Sequence, residues 1–183
     1  MDVSFLFRRS NLKERRCPML GKLASGEMVV DRFNSHNHIG LSRFLPVALA
    51  RINSLGRGFL VEEVDFGSSI GETICVPTGP GDEIVFAQRP KRFGLTRFVK
   101  NRKSEPCSSL VVILKVGDCG EYVLITAFVG TRPEPEPWDE RNFAQQADPS
   151  AARKAAFRFW LSHALVWGAE PIVPGTETTV CPW

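Results

Sequence analysis

The chain has no run approaching the roughly 20 apolar residues that a membrane-spanning helix requires. It also has no Cys-x-x-Cys pair, no internal repeat and no low-complexity block. Histidine is scarce, at three residues, and the five cysteines (Cys17, Cys75, Cys107, Cys119, Cys181) are odd in number and scattered. Each shortage removes a class. Without a long apolar run no bilayer crossing is expected, and without paired cysteines neither a disulfide framework nor a structural zinc site is expected, so the thiols read as free. The opening "MDVSFLFRRSNLKERR" places its bases after a short apolar stretch rather than before it, which is not the layout of a secretory signal. The expectation is a soluble, cytoplasmic protein.

What is present suits one folded domain over residues 1–183, since 43% hydrophobic and 23% charged residues are ordinary for a globular chain. The net charge is only +3, yet "RPKRFGLTRFVKNRK", residues 89–103, holds seven Lys or Arg and no acid. That concentration makes the basicity local, so a polyanion would be met by one face.

The coarse pattern is α+β. "PVALARINSL" predicts a helix over 46–55, with Pro46 in its first turn and Gly56 at its stop. Six β-rich runs follow between Gly and Pro: "RGFLVEEVDFG", "GETICVPTG", "DEIVFAQRP", "LTRFVKNR", "SSLVVILKVG" and "EYVLITAFVG". They predict an antiparallel sheet of about five or six strands, with "TGPGD" and "GDCG" as hairpin turns and the last two runs as its core. An earlier run, "GEMVVDRF", is a further possible strand, so the domain core spans about 26–130. The alternating Pro and Glu of 131–140 predict a water-exposed connection. Then "PSAARKAAFRFWLSHALVWG" predicts a second helix over 150–166 with Ser150 at its cap, packed with the first on the sheet, and an extended tail to 183.

Three groups of residues could carry chemistry. His36 and His38 in "SHNH" titrate near neutrality and could supply a base and an acid from one loop. A polar surface turn explains them equally, and metal binding would need further ligands that the sequence does not place nearby. His163 reads as a histidine at the edge of the core. Strand alternation in "TRFVKNR" puts Thr96, Phe98, Lys100 and Arg102 on one face and Arg97, Val99 and Asn101 on the other. An aromatic between cations suits a nucleotide, with Arg92, Arg97, Phe98 and Lys103 as contacts to base and phosphate. A charge-guarded edge strand explains the same residues. Thr126 is a lone hydroxyl in an apolar run, on one face with Tyr122, Leu124 and Phe128, and strand packing also accounts for it.

In order, histidines near an early helix, an Arg- and Lys-bearing strand "TRFVKNR" and a late strand "YVLITAFVG" resemble the RelE-type and EndoU-type ribonuclease toxins of bacteria and their mobile elements, over about residues 33–130. The resemblance implies a metal-independent endoribonuclease without a cofactor, cleaving RNA by attack of a ribose 2′-hydroxyl on the adjacent phosphorus. It implies His36 or His38 as base, Arg97, Lys100 or Arg102 as the stabiliser of charge on phosphorus, and Thr126 as a phosphate contact. An acidic inhibitory protein would be a second partner beside RNA. The alternative function is a noncatalytic module that binds nucleic acid or protein, in which the basic strand grips its ligand and the histidines are incidental.

Overall fold

The computed structural model describes residues 17–32 and 40–183. The fold is α+β, but among the described residues the strands divide into three sheets rather than forming one antiparallel sheet. The larger sheet has five strands in the order β1 (Met19–Lys22), β2 (Met28–Val30), β10 (Tyr122–Val129), β9 (Ser109–Val116), β3 (Phe59–Asp65). The smaller has four, in the order β5 (Cys75–Pro77), β11 (His163–Val166), β7 (Leu95–Val99), β6 (Ile84–Gln88), and β4 (Gly71–Thr73) pairs β8 (Glu105–Cys107) as a short ribbon. Both larger sheets are mixed, because β10 runs parallel to β2 and β11 parallel to β7.

The β9–β10 hairpin forms the centre of the larger sheet, as its unbroken apolar runs predict. Its "GDCG" turn uses Gly120 at φ 84°, a left-handed conformation that glycine adopts without steric cost. Leu110, Val112, Leu114, Tyr122 and Leu124 point to one core, which α1 (Leu45–Leu49) closes with Leu45, Ala48 and Leu49. The strand β10 does not alternate regularly. It is bulged between Leu124 and Thr126, so Ile125 has no partner on β9. The extra residue shifts the phase: Ala127 and Val129 join Tyr122 and Leu124 at the core, and Thr126 and Phe128 turn to the other face. The predicted shared face of Tyr122, Leu124, Thr126 and Phe128 is therefore corrected.

The first helix is also shorter than the predicted 46–55. Beyond Leu49 the backbone is taken by other partners: Ala24 N donates to Ile52 O at 2.8 Å, Ser54 N donates to Ser25 Oγ at 3.0 Å, and Leu55 N donates to Asn53 Oδ1 at 3.1 Å. Side-chain acceptors of this kind compete with helical hydrogen bonds.

In the smaller sheet β5 and β6 lie at opposite edges, so "TGPGD" is a crossover and not a hairpin turn. Helix α3 (Pro149–Ser162) is capped by Asp148, whose carboxylate accepts from Ala151 N, instead of by Ser150, with Pro149 in the first turn. It stops at Ser162, and the residues expected to continue it become β11, placed between β5 and β7. Pairing on both sides outweighs the weak helical propensity of "HALV". The tail after residue 170 covers the free side of β6, with Phe86 and Thr178 exchanging backbone hydrogen bonds at 2.8 and 2.9 Å and Val173 N donating to Gln88 O. Among the described residues no helix is long and apolar enough to cross a membrane.

Candidate nucleic-acid interface

The basic run winds through the smaller sheet, and its seven cations do not share one environment. Strand β7, which carries Arg97 and Phe98, is interior to that sheet, so the edge-strand explanation does not hold. Phe98 is fully buried and meets Trp167 edge-on at 5.5 Å between ring centroids, which leaves no face for a base. Its predicted role in base stacking is corrected by that burial. Thr96 is likewise buried.

Arg89 is half-buried and fully compensated. Its Nη2 donates to Glu136 Oε1, its Nη1 to Glu170 Oε2 at 2.6 Å, and its Nε to Thr96 Oγ1 at 3.1 Å. Burial alone would lower this guanidinium's pKa, but the charges of Glu136 and Glu170 more than offset it and the net shift is upward. Glu136 also accepts from Thr96 Oγ1 and from Trp138 Nε1. The 131–140 segment is thus a strap seated on the sheet and not a water-exposed connection: Glu136 and Pro137 are buried, and Trp160 Nε1 donates to Glu134 O at 2.9 Å.

On the other face of β7, Arg97 Nη1 donates to His163 O at 2.7 Å and to Thr78 Oγ1 at 2.8 Å. Burial holds this guanidinium below the ordinary arginine value. The His163 ring stacks on Phe159, at 4.2 Å between centroids and 2° between planes, consistent with a packed position at the edge of the core. Lys100 Nζ lies 5.2 Å from the Trp167 ring centroid as a cation–π contact. Arg102 donates to Pro77 O at 2.9 Å and faces Asp82 at 3.7 Å. Lys103 is exposed, and among the described residues it meets no carboxylate.

Lys91 and Arg92 occupy the turn between β6 and β7, and both are exposed. Lys91 takes φ 65°, an uncommon left-handed conformation for a residue with a side chain. This turn carries Phe93, which is 84% exposed, with the Arg141 guanidinium 5.7 Å from its ring centroid. Arg141 comes from α2 (Glu140–Ala144), whose N-cap Asp139 ends the strap. The turn is held from below by Trp138: a Cβ at Gly94 would lie 2.1 Å from Trp138 Cγ, so only glycine admits the indole. The result is an aromatic ring on a supported turn, among Lys91, Arg92 and Arg141, none of which is ion-paired among the described residues. The five residues of β7 separate this tip from Lys100–Lys103 by about 17 Å, at the usual rise per strand residue.

The proposed catalytic set is not brought together by what is described. His36 and His38 lie outside the described residues. Thr126 belongs to the larger sheet, paired with Ile113, whereas Lys100 and Arg102 extend from the smaller one. Sequence reasoning missed Glu136, Trp138 and Arg141 as partners of the basic run. For Glu136 and Trp138 the sequence signal was an acid and a tryptophan embedded among prolines in "EPEPWDE", and Arg141 had none.

No family model matches the chain, and no curated protein does. A solved structure is similar, that of a conserved hypothetical protein from Toxoplasma gondii ME49, with a TM-score of 0.50 and 14% identity over 73% of this chain and 87% of that one. At that identity the likeness concerns the fold alone.

Proposed function

We propose that this protein binds single-stranded RNA through the tip of the β6–β7 turn. The observation that carries the reading is the 84% exposure of Phe93 beside exposed Arg92 and Arg141. A ring of this kind stacks on a base, the flanking cations meet phosphates, and aromatic stacking contributes about 1–3 kcal/mol per base. The support from Trp138 adds to the argument, because a turn already fixed before binding loses less entropy when the ligand arrives. Such a surface would also attract an acidic inhibitory protein. A reducing cytoplasm fits Cys75, Cys107, Cys119 and Cys181, which form no disulfide among the described residues.

Fluorescence anisotropy with a labelled single-stranded oligonucleotide tests the reading. Phe93→Ala should weaken binding about 5- to 150-fold, the range that stacking energy implies. Arg92→Ala and Arg141→Ala should each lessen the slope of log affinity against log salt by about 0.7, while Lys103→Ala at the far end of β7 leaves it unchanged. Equal binding by wild type and Phe93→Ala would sink the proposal.

Metal-independent RNA cleavage is a second reading, and one topological fact favours it. Strand β2 runs parallel beside β10, with Val30 opposite Val123, and the chain leaves β2 directly into the segment that bears His36 and His38. Strand β2, which precedes that segment in the chain, is thus next to the strand that carries Thr126. Incubation of wild type, His36→Ala and His38→Ala with RNA in a chelator separates cleavage from binding alone, and loss of a working general acid or base slows the reaction by about 10²–10⁴-fold.

A further inference from the structure

Among the described residues strand β3 is an edge of the larger sheet, and its hydrogen-bond phase can be read from its two ends. Val116 N donates to Gly58 O and Phe66 N donates to Ser108 O, both at 2.9 Å, in register with Phe59 opposite Lys115 through Asp65 opposite Ser109. Bonded and non-bonded pairs alternate in an antiparallel ladder. Leu60, Glu62 and Val64 therefore turn their backbone groups toward β9, and Phe59, Val61, Glu63 and Asp65 turn theirs outward. Asp65 O is occupied, accepting from Arg51 Nη1 at 3.0 Å. The N–H and C=O groups of Phe59, Val61 and Glu63 meet no partner among the described residues, and Phe59 is 56% exposed.

We propose that this edge pairs with β3 of a second copy of the chain, antiparallel about a two-fold axis at Val61. This register sets Phe59 of each copy opposite Glu63 of the other and Val61 opposite Val61. It uses all three open residues on both sides, with two hydrogen bonds for each of the three facing pairs. A shift of two residues in either direction loses a pair. A shift of one is excluded, because it opposes outward groups with inward ones.

Charge selects the same direction. Arg57 and Glu62 neutralise each other at 2.6 Å within the chain, which leaves Lys115 opposite Phe59 at the start of the strand and Glu63 and Asp65 at its end. Antiparallel pairing sets basic ends against acidic ends, whereas parallel pairing would set like against like. The two copies would share one continuous sheet. This surface lies on a different sheet from the Phe93 turn and does not depend on RNA binding.

Sedimentation velocity over a concentration series tests the pairing. The interface is an edge alone, smaller than the roughly 1,600 Å² of a standard complex, so a dissociation constant on the order of 10–100 μM is expected. In Val61→Pro the lost N–H points outward and the ladder to β9 is kept, so the dimer should vanish while far-UV circular dichroism is retained. Should that variant unfold, Glu63→Lys serves instead: it should weaken the dimer at least tenfold at low salt, and adding Lys115→Glu should restore it. A wild type that stays monomeric at the highest concentration overturns the proposal. So does a dimer indifferent to Val61→Pro and to the charge exchange. Monomer that pairs only with an added basic extended peptide assigns the edge to a different partner and also overturns self-pairing.

Discussion

In the larger sheet the central strands bury Leu110, Val112, Leu114 and Leu124 against α1, and its polar clamps lie near the surface. There Arg32 bridges Asp118 and Glu121. In the smaller sheet the central strand buries Thr96 beside Phe98, and the polar bonds lie inside, where Arg89 joins Glu136 and Glu170. Each sheet is therefore vulnerable at a different kind of contact. Apolar packing is non-directional and tolerates adjustment, whereas a buried ion pair is costly when one partner is removed.

The largest expected effect follows from that contrast. Glu136→Ala should destabilise by about 3–5 kcal/mol, because it strips Arg89 of its most buried partner. Replacing both Arg89 and Glu136 with apolar residues of similar volume should recover only part of the loss, because Thr96 Oγ1 and Trp138 Nε1 then lack their acceptor. Urea denaturation of the single and double variants checks this, and a double variant no better than the single would remove the ion pair from the explanation.

Next in size, Gly94→Ala should cost about 1–3 kcal/mol by overpacking. The new methyl group would displace Trp138 from beneath the β6–β7 turn, seen as a change in tryptophan emission together with weaker RNA binding.

Deletion of Ile125 probes the larger sheet. A deletion inside a central strand ordinarily reverses every following side chain. Here the residue removed is the unpaired one of a bulge, so Ala127 and Val129 should stay on the core face and the loss should be under about 2 kcal/mol. Loss of cooperative unfolding in this variant would contradict the bulge.

Acid should act on the larger sheet through Glu27, Asp65 and Glu121. Hydrogen bonds from Ser25 and then Ser54 hold Glu27 below the ordinary carboxylate range, Ser108 does so for Asp65, and a backbone hydrogen bond together with Arg32 does so for Glu121. A depressed folded-state pKa means that the unfolded chain binds the proton more readily. The stabilisation is therefore present above the unfolded values and is lost as pH falls through the folded ones. The urea midpoint should be flat above about pH 5 and decline below about pH 4. Glu27→Gln should make that decline shallower.

The smallest effect concerns reactivity alone. Burial, with a contribution from Glu136, pushes the Cys75 thiol up to about 11. Alkylation at pH 8, followed by mass spectrometry, should label exposed Cys119 and Cys181 well before Cys75, in line with its smaller thiolate fraction.

Much of the strand pattern was legible locally. The β9–β10 hairpin could be read because two apolar runs flank a glycine turn, and the segments of β3, β6 and β7 because each is bounded by Gly or Pro. Short β1 and β8 gave no such signal. The sequence "HALV" reads as the end of a helix, and it becomes a strand because the segments on either side of it are 67 residues upstream, in β7, and 86 to 90 residues upstream, in β5.

The candidate site was legible only as composition. Local sequence determined that a basic, aromatic segment exists, that it contains a β-strand, and that the chain folds as α+β, since those follow from residue spacing and turn chemistry. Tertiary structure alone decided which cations are neutralised and which ring faces water. The counter-charges of Arg89 stand 47 and 81 residues away, Phe98 is covered by Trp167, and Phe93 is left outside at a turn. Coulomb interaction and burial depend on distance in space, and that distance is set by which strands pair.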